Sequence, residues 1–206
     1  MEKKKRILMA LFGVMLCGAC VGVLQKCSFG ADPFTCFVTA FANLAHSTYG
    51  QLYVVVTGVL LVGVFFVERH YIGIATLFNL FITGIVADAT LNLLNQIFPA
   101  PGLVMRVVFL AGGVVFSSLA ASLYFTADLG VSAYDAVSLI AANKYKLLPF
   151  RVCRITTDLI CVITGFICAV TIGIGTVITA LLMGPIIQWF NTHLSEPLLY
   201  GKKKNV

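Results

Sequence analysis

Two short stretches, 100 residues apart, carry the side chains best suited to chemistry. Gly30-Ala31-Asp32-Pro33-Phe34-Thr35 and Gly130-Val131-Ser132-Ala133-Tyr134-Asp135 each set a carboxylate and a hydroxyl close behind a glycine. Pro33 suits the first turn of a helix, and Asp32 and Ser132 suit the capping position before one. A helix start offers free N–H groups and a partial positive charge, so it can hold an anionic group of a ligand. The same side chains can equally serve to cap their own helices, and the two roles are compatible. The candidate binding residues are Asp32, Thr35, Ser132, Tyr134 and Asp135. Asn43 and Asn143 join them near the far ends of the same two helices, where an amide can end a helix or bond a ligand.

A second group consists of ionisable residues inside apolar runs. Asp158 lies a few residues into one run and Asp88 near the end of another. Carboxylates in such places are costly and mark function or pairing. Arg154 stands four residues before Asp158 and could pair with it along one helix face. Asp135 and Asp158 are the candidates for a coupling proton or cation. The segments Ile72-Gly73-Ile74-Ala75-Thr76 and Ile172-Gly173-Ile174-Gly175-Thr176 suit close backbone approach, with threonine bonding to a carbonyl, or an irregular helix start lining a pore. The seven cysteines lie mostly in apolar runs and are read as packing residues, Cys17-x-x-Cys20 included. His46, His70 and His193 lack metal-ligand spacing. No phosphate loop, nucleophile elbow or zinc motif occurs, so no enzyme, cofactor or metal centre is expected.

The elements that must position these residues are membrane helices. Hydrophobic residues make up 60% of the 206, charged residues 11%, and mean hydropathy is +1.00. A soluble domain carries about a quarter charged residues. A single membrane domain spanning 1–206, with the lipid bilayer as its partner, fits this balance. The net charge of +6 sits at the ends of apolar runs, as on cytoplasmic flanks, and does not form a face for nucleic acid. Lys3 to Arg6 followed by an apolar run resembles a secretion signal, but the run has a counterpart later in the chain and is read as a first helix.

That counterpart belongs to an internal repeat. Residues 6–89 laid on 106–189 give 14 identical pairs, among them Gly30/Gly130, Asn43/Asn143, Thr57/Thr157, Gly73/Gly173, Thr76/Thr176 and Gly84/Gly184. Repeat one covers about 6–89, a linker about 90–103, repeat two about 104–190, and a cytoplasmic tail 191–206. Each repeat reads as three spanning runs plus one short helix of about 12 residues, roughly 18 Å long and too short to cross a core of about 30 Å. The expected fold is therefore all-α: a polytopic membrane protein of two tandem, inverted repeats, each with three transmembrane helices and one re-entrant or half-depth helix. With both termini cytoplasmic, 12 of the 14 basic residues lie inside. Eight spans in parallel repeats give the same count, so helix length is what favours six.

The glycine-led stretches and the glycine-x-glycine-threonine segment together resemble the YczE/YitT-like family of bacterial integral membrane proteins. Its pattern of leucine, glycine, two small residues, proline, aromatic and aspartate is split here. Phe29 to Thr35 carries the proline, and Leu129 to Asp135 carries the aspartate. The resemblance implies the bacterial cytoplasmic (inner) membrane, several spans and no cofactor. Duplication plus half-length polar helices leads us to expect a transporter or carrier of a small polar solute, with its site between the repeats. The alternative is a non-transporting membrane scaffold, a regulatory partner or a substrate-binding subunit of a larger complex. A homo-oligomer or membrane partner is compatible with either.

Overall fold

The computed structural model describes residues 2–148, 150–170 and 172–200. Helix α1 spans Glu2–Cys27, α2 Pro33–Leu44, α3 Tyr49–Val67 and α4 Ile74–Ile97. Helix α5 spans Leu103–Ala127, α6 Ala133–Leu139, α7 Phe150–Ile167, α8 Ile174–Phe190 and α9 Glu196–Tyr200. A π-turn, Ile140–Lys144, extends α6, and another, Asn191–Ser195, joins α8 to α9. Among the described residues there is no strand.

Five helices are long and apolar enough to cross a membrane: Lys3–Cys27, Tyr49–Val67, Ile74–Ile97, Leu103–Ala127 and Ile174–Tyr200. The sixth expected span, α7, has 18 residues, but its sequence carries Arg151, Arg154 and Asp158 and it does not join that set. Helix α2 is 12 residues long, as expected for a half-depth element. The linker differs from expectation. Helix α4 runs on to Ile97, so 98–102 alone connect it to α5. The expected tail is helical through Tyr200 and docks on the bundle. The Ser195 hydroxyl meets that of Ser122 at 2.5 Å, and Arg6 donates to the Tyr200 hydroxyl at 3.1 Å. Lys202 to Lys204 lie outside the described residues.

Small residues let the long helices close on one another. Helix α1 packs along both α4 and α5. A Cβ on Gly13 would meet the Ala120 carbonyl at 2.9 Å, and one on Gly18 or Gly22 would meet the Thr83 or Ala87 carbonyl at 2.7 Å. The short helices cross over: α2 packs on α7, and α6 on α3. The outer faces keep large apolar side chains exposed, such as Phe66, Val104 and Ile167, each over 75%. Such a surface suits lipid.

The turns before the short helices match. Ser28 and Asp128 are left-handed, with φ of 57° and 52°, and Gly30 and Gly130 have φ of 95° and 110°. His46 and Lys146 are left-handed again, at 50° and 49°. These turns bond across the bundle in a reciprocal way. The Gly175 N–H donates to the Phe29 carbonyl at 2.8 Å, and the Ala75 N–H to the Leu129 carbonyl at 3.0 Å. Here Gly73 and Gly173 are required by space. A Cβ would sit 1.9 Å from the Leu129 oxygen or 2.3 Å from the Phe29 oxygen. The glycine-x-x-threonine segments are thus used for close packing, with carbonyls of the neighbouring turns taken up in hydrogen bonds.

One part of the bundle is not matched. Helix α3 lies against α4, where Gly50 and Gly84 touch and the Asp88 carboxylate accepts from the Gly50 N–H at 3.0 Å. Among the described residues no comparable contact joins α7 to α8, and Gly184 has open space where Gly84 has a neighbour.

Candidate functional site

The two short helices begin inside the bundle, and their first turns meet. Asp32 caps α2: its carboxylate accepts from the Thr35 N–H at 3.0 Å and from the Thr35 hydroxyl at 2.6 Å. Ser132 caps α6 by accepting from the Asp135 N–H at 3.1 Å. Its hydroxyl also donates to one Asp135 oxygen at 2.7 Å. The capping role is realised at both starts, so these N–H groups are already occupied.

The capping side chains lead directly into an ion-pair cluster. The other Asp135 oxygen pairs with the Arg154 guanidinium, which crosses from α7. The Arg154 Nε lies 3.4 Å from Asp158, one turn further along α7. The Tyr134 hydroxyl donates to that same Asp158 oxygen. The guanidinium sits 4.4 Å over the Tyr134 ring, within cation–π range. On Tyr134 stacks Phe34 of α2, with centroids 4.7 Å apart and planes at 20°. Tyr53 of α3 meets the edge of Phe34 at 6.0 Å and donates to Asn79 of α4 at 2.5 Å. Asp135 is 8% exposed and Asn79 5%, so these polar groups are interior.

Several buried hydroxyls around the cluster make no hydrogen bond of ordinary length. Tyr124, 6% exposed, is one, and Ser132 and Asp135 are its polar neighbours. Thr57 and Thr83, each 2% exposed, are two more, and both lie beside Tyr53. Buried polar groups are seldom left unbonded.

Of the expected site residues, Ser132, Tyr134, Asp135 and Asp158 come together in the ion-pair cluster, and Asp32 and Thr35 bond to each other at the start of α2, linked to it through Phe34. Asn43 does not. It sits exposed near the far end of α2, where its carbonyl accepts from His46. Eight residues separate it from Thr35, about 12 Å along a helix. Asn143 lies in the π-turn beyond α6, and its side chain lies outside what is described. Asp88 serves the α3–α4 contact. Phe34, Tyr53, Asn79 and Tyr124 were not anticipated. A lone asparagine amid Phe78, Leu80 and Phe81 was the available signal for Asn79. Arg154 was expected to serve Asp158, and its second partner on another helix was not visible.

Two surface hollows lie apart from this cluster. One, about 260 Å³, is bordered by Asp128, Asn191, Glu196 and Tyr200, and the other, about 350 Å³, by apolar residues of α3 and α6 with Tyr145. Neither hollow is bordered by Asp135, Arg154 or Asp158.

A bundle of long apolar helices enclosing an ion-paired polar cluster defines a polytopic α-helical membrane protein. This chain belongs to DUF6198, a family of unknown function, which it matches over residues 4–192. It is also similar to an uncharacterized protein of Haemophilus influenzae, with 24% identity over 187 residues, covering 90% of this chain and 83% of that one. No solved structure matches it. The family found is DUF6198, and the matches do not carry the YczE/YitT-like name.

Proposed function

We propose that this chain is a carrier of a small polar solute in the bacterial inner membrane, with its site between two inverted repeats and both termini cytoplasmic. The observation that carries the reading is the Asp135–Arg154–Asp158 cluster, assembled from α6 and α7 within the bundle. Charges buried in this way are costly, and a purely structural protein gains little from them. The repeat reading draws support from Phe34 and Tyr134, which are equivalent positions 100 residues apart and stack on one another. Equivalent residues meet in this way where a two-fold axis passes between halves. Helices α1 and α5, the first of each half, also pack together. The closed α3–α4 contact and the open α7–α8 flank fit a carrier caught with one half closed, as alternating access requires.

Two experiments test this. Solute uptake is screened in a deletion strain carrying either the wild-type gene or Asp135→Asn. The reading expects at least one small polar solute whose uptake needs the wild type and is lost in the variant. No such solute across the screen counts against it. An alkaline phosphatase fusion at Gln96 should be active with six spans and inactive with eight. A second reading, a scaffold or a subunit of a larger membrane complex, is favoured by the unpacked α7–α8 flank. A stable hetero-complex or homo-oligomer burying Gly184, with no uptake phenotype, would establish it instead.

A further inference from the structure

We infer that the cluster around Asp135 and Asp158 is a binding site for a small organic monocation, a guanidinium or alkylammonium group, which exchanges with the Arg154 guanidinium for the place between the two carboxylates. The inference rests on the carrier reading and names its substrate class.

Charge is the first argument. Asp135 and Asp158 both face the Arg154 guanidinium, so two carboxylates share one cation. With both ionised, the place between them is already short of positive charge by one unit. A neutral or anionic solute that took the place of Arg154 would enlarge that imbalance. A monocation in the same place leaves it unchanged.

Shape is the second argument. The Arg154 guanidinium now occupies a place built for a flat or compact cation. Asp135 lies on one side, Asp158 on another, and the Tyr134 ring at 4.4 Å forms a floor backed by Phe34. Carboxylates with an aromatic face are the chemistry by which organic cations are held. Among the described residues no three His, Cys, Asp or Glu side chains converge as metal ligands. The carboxylates are spread around a guanidinium-sized object and do not meet at one point.

The independent observation is Tyr124. Its hydroxyl is buried and makes no hydrogen bond of ordinary length, with Ser132 and Asp135 as its polar neighbours. Arg154 does not reach it. A solute N–H placed against Asp135 could. Arg154 can vacate the site because its side chain is 35% exposed, against 11% for Asp135 and 14% for Asp158. It acts as a tethered competitor that keeps the empty carrier neutral enough to persist in the bilayer.

The test uses the full chain purified in detergent, with binding read as a saturable shift in thermal unfolding. Methylguanidinium and methylammonium chlorides are the probes, with sodium chloride and urea as controls, since urea is the neutral isostere of guanidinium. The expected result is stabilisation by a probe cation at millimolar concentration or below, and none by urea. Asp135→Asn should lose it. Arg154→Gln, which keeps the side chain's length, should bind the probe at least tenfold more tightly because the internal competitor is gone. Arg154→Lys, which keeps the charge but not the forked guanidinium, is a second form of the same test should the glutamine variant not fold, and should bind the probe more tightly than the wild type. Equal effects of urea and methylguanidinium, no saturable effect of any probe on the wild type, or an effect that survives Asp135→Asn each overturn the inference. Flux into proteoliposomes separates the two readings. Flux of a neutral or anionic solute that methylguanidinium does not inhibit sinks the cation site alone. Cation binding without flux of any solute keeps the site and sinks the carrier.

Discussion

Phe34 lies flat on Tyr134, ring centroids 4.7 Å apart, although the two residues belong to different short helices and stand 100 positions apart in the chain. The stack joins the first turns of α2 and α6 and holds the face on which the Arg154 guanidinium rests. If it ties the two halves, the rings should be coupled energetically. A cycle of Phe34→Leu, Tyr134→Leu and the double variant should give a coupling of about 0.5–1.5 kcal/mol. Reversible unfolding in mild denaturant and detergent measures it. Strict additivity would mean that the stack is incidental.

The crossing of the two glycine turns should be intolerant of any side chain. Gly73→Ala places a Cβ 1.9 Å from the Leu129 oxygen, and Gly173→Ala one 2.3 Å from the Phe29 oxygen. Each should cost about 1–3 kcal/mol or more, since backbone and not a mobile side chain is in the way. Gly58→Ala, with nothing near its Cβ, is the control and should be neutral or slightly stabilising, as alanine favours a helix. Thermal stability of the three purified variants decides it.

Arg154 holds two carboxylates, so its removal should be felt more than removal of either. Arg154→Ala is expected to cost about 3–5 kcal/mol, the cost of stranding buried partners. Asp158→Asn should cost less, because Tyr134 can still donate to the amide oxygen and Arg154 keeps Asp135. A larger loss from Asp158→Asn than from Arg154→Ala would show that the cluster is centred on Asp158.

The unequal flanks make a further comparison. Gly84→Ala should destabilise by about 1–3 kcal/mol, because Gly50 lies against it at 2.9 Å. Gly184→Ala should change stability by under roughly 0.5 kcal/mol, since nothing lies near it. Equal losses at both positions would show that the α7–α8 flank is closed or covered in the purified protein.

The sequence alone determined the solvent, the helices and the places where they begin. Sixty per cent hydrophobic residues leave too few polar groups to cover a water-facing surface, and that is a matter of composition. Asp32, Pro33 and Ser132 act on the backbone within three residues of themselves, so the starts of α2 and α6 were legible. Identities 100 positions apart are plain in the sequence, and residues of positive φ stand at 28, 30 and 46 and again at 128, 130 and 146. Asn43 misled because a repeated residue need not share a site with its neighbours along a helix.

Tertiary structure decided which of the polar residues meet. Arg154 had an obvious partner four residues away in Asp158, and local spacing had no means of showing that Asp135, from another helix, would take its other side. It also decided that α2 lies on α7 and α6 on α3, a crossing that brings Phe34 to Tyr134. The open flank at Gly184 against the closed one at Gly84 was equally hidden. The same glycine is present in both halves, and whether a helix lies against it depends on how the two halves pack in space.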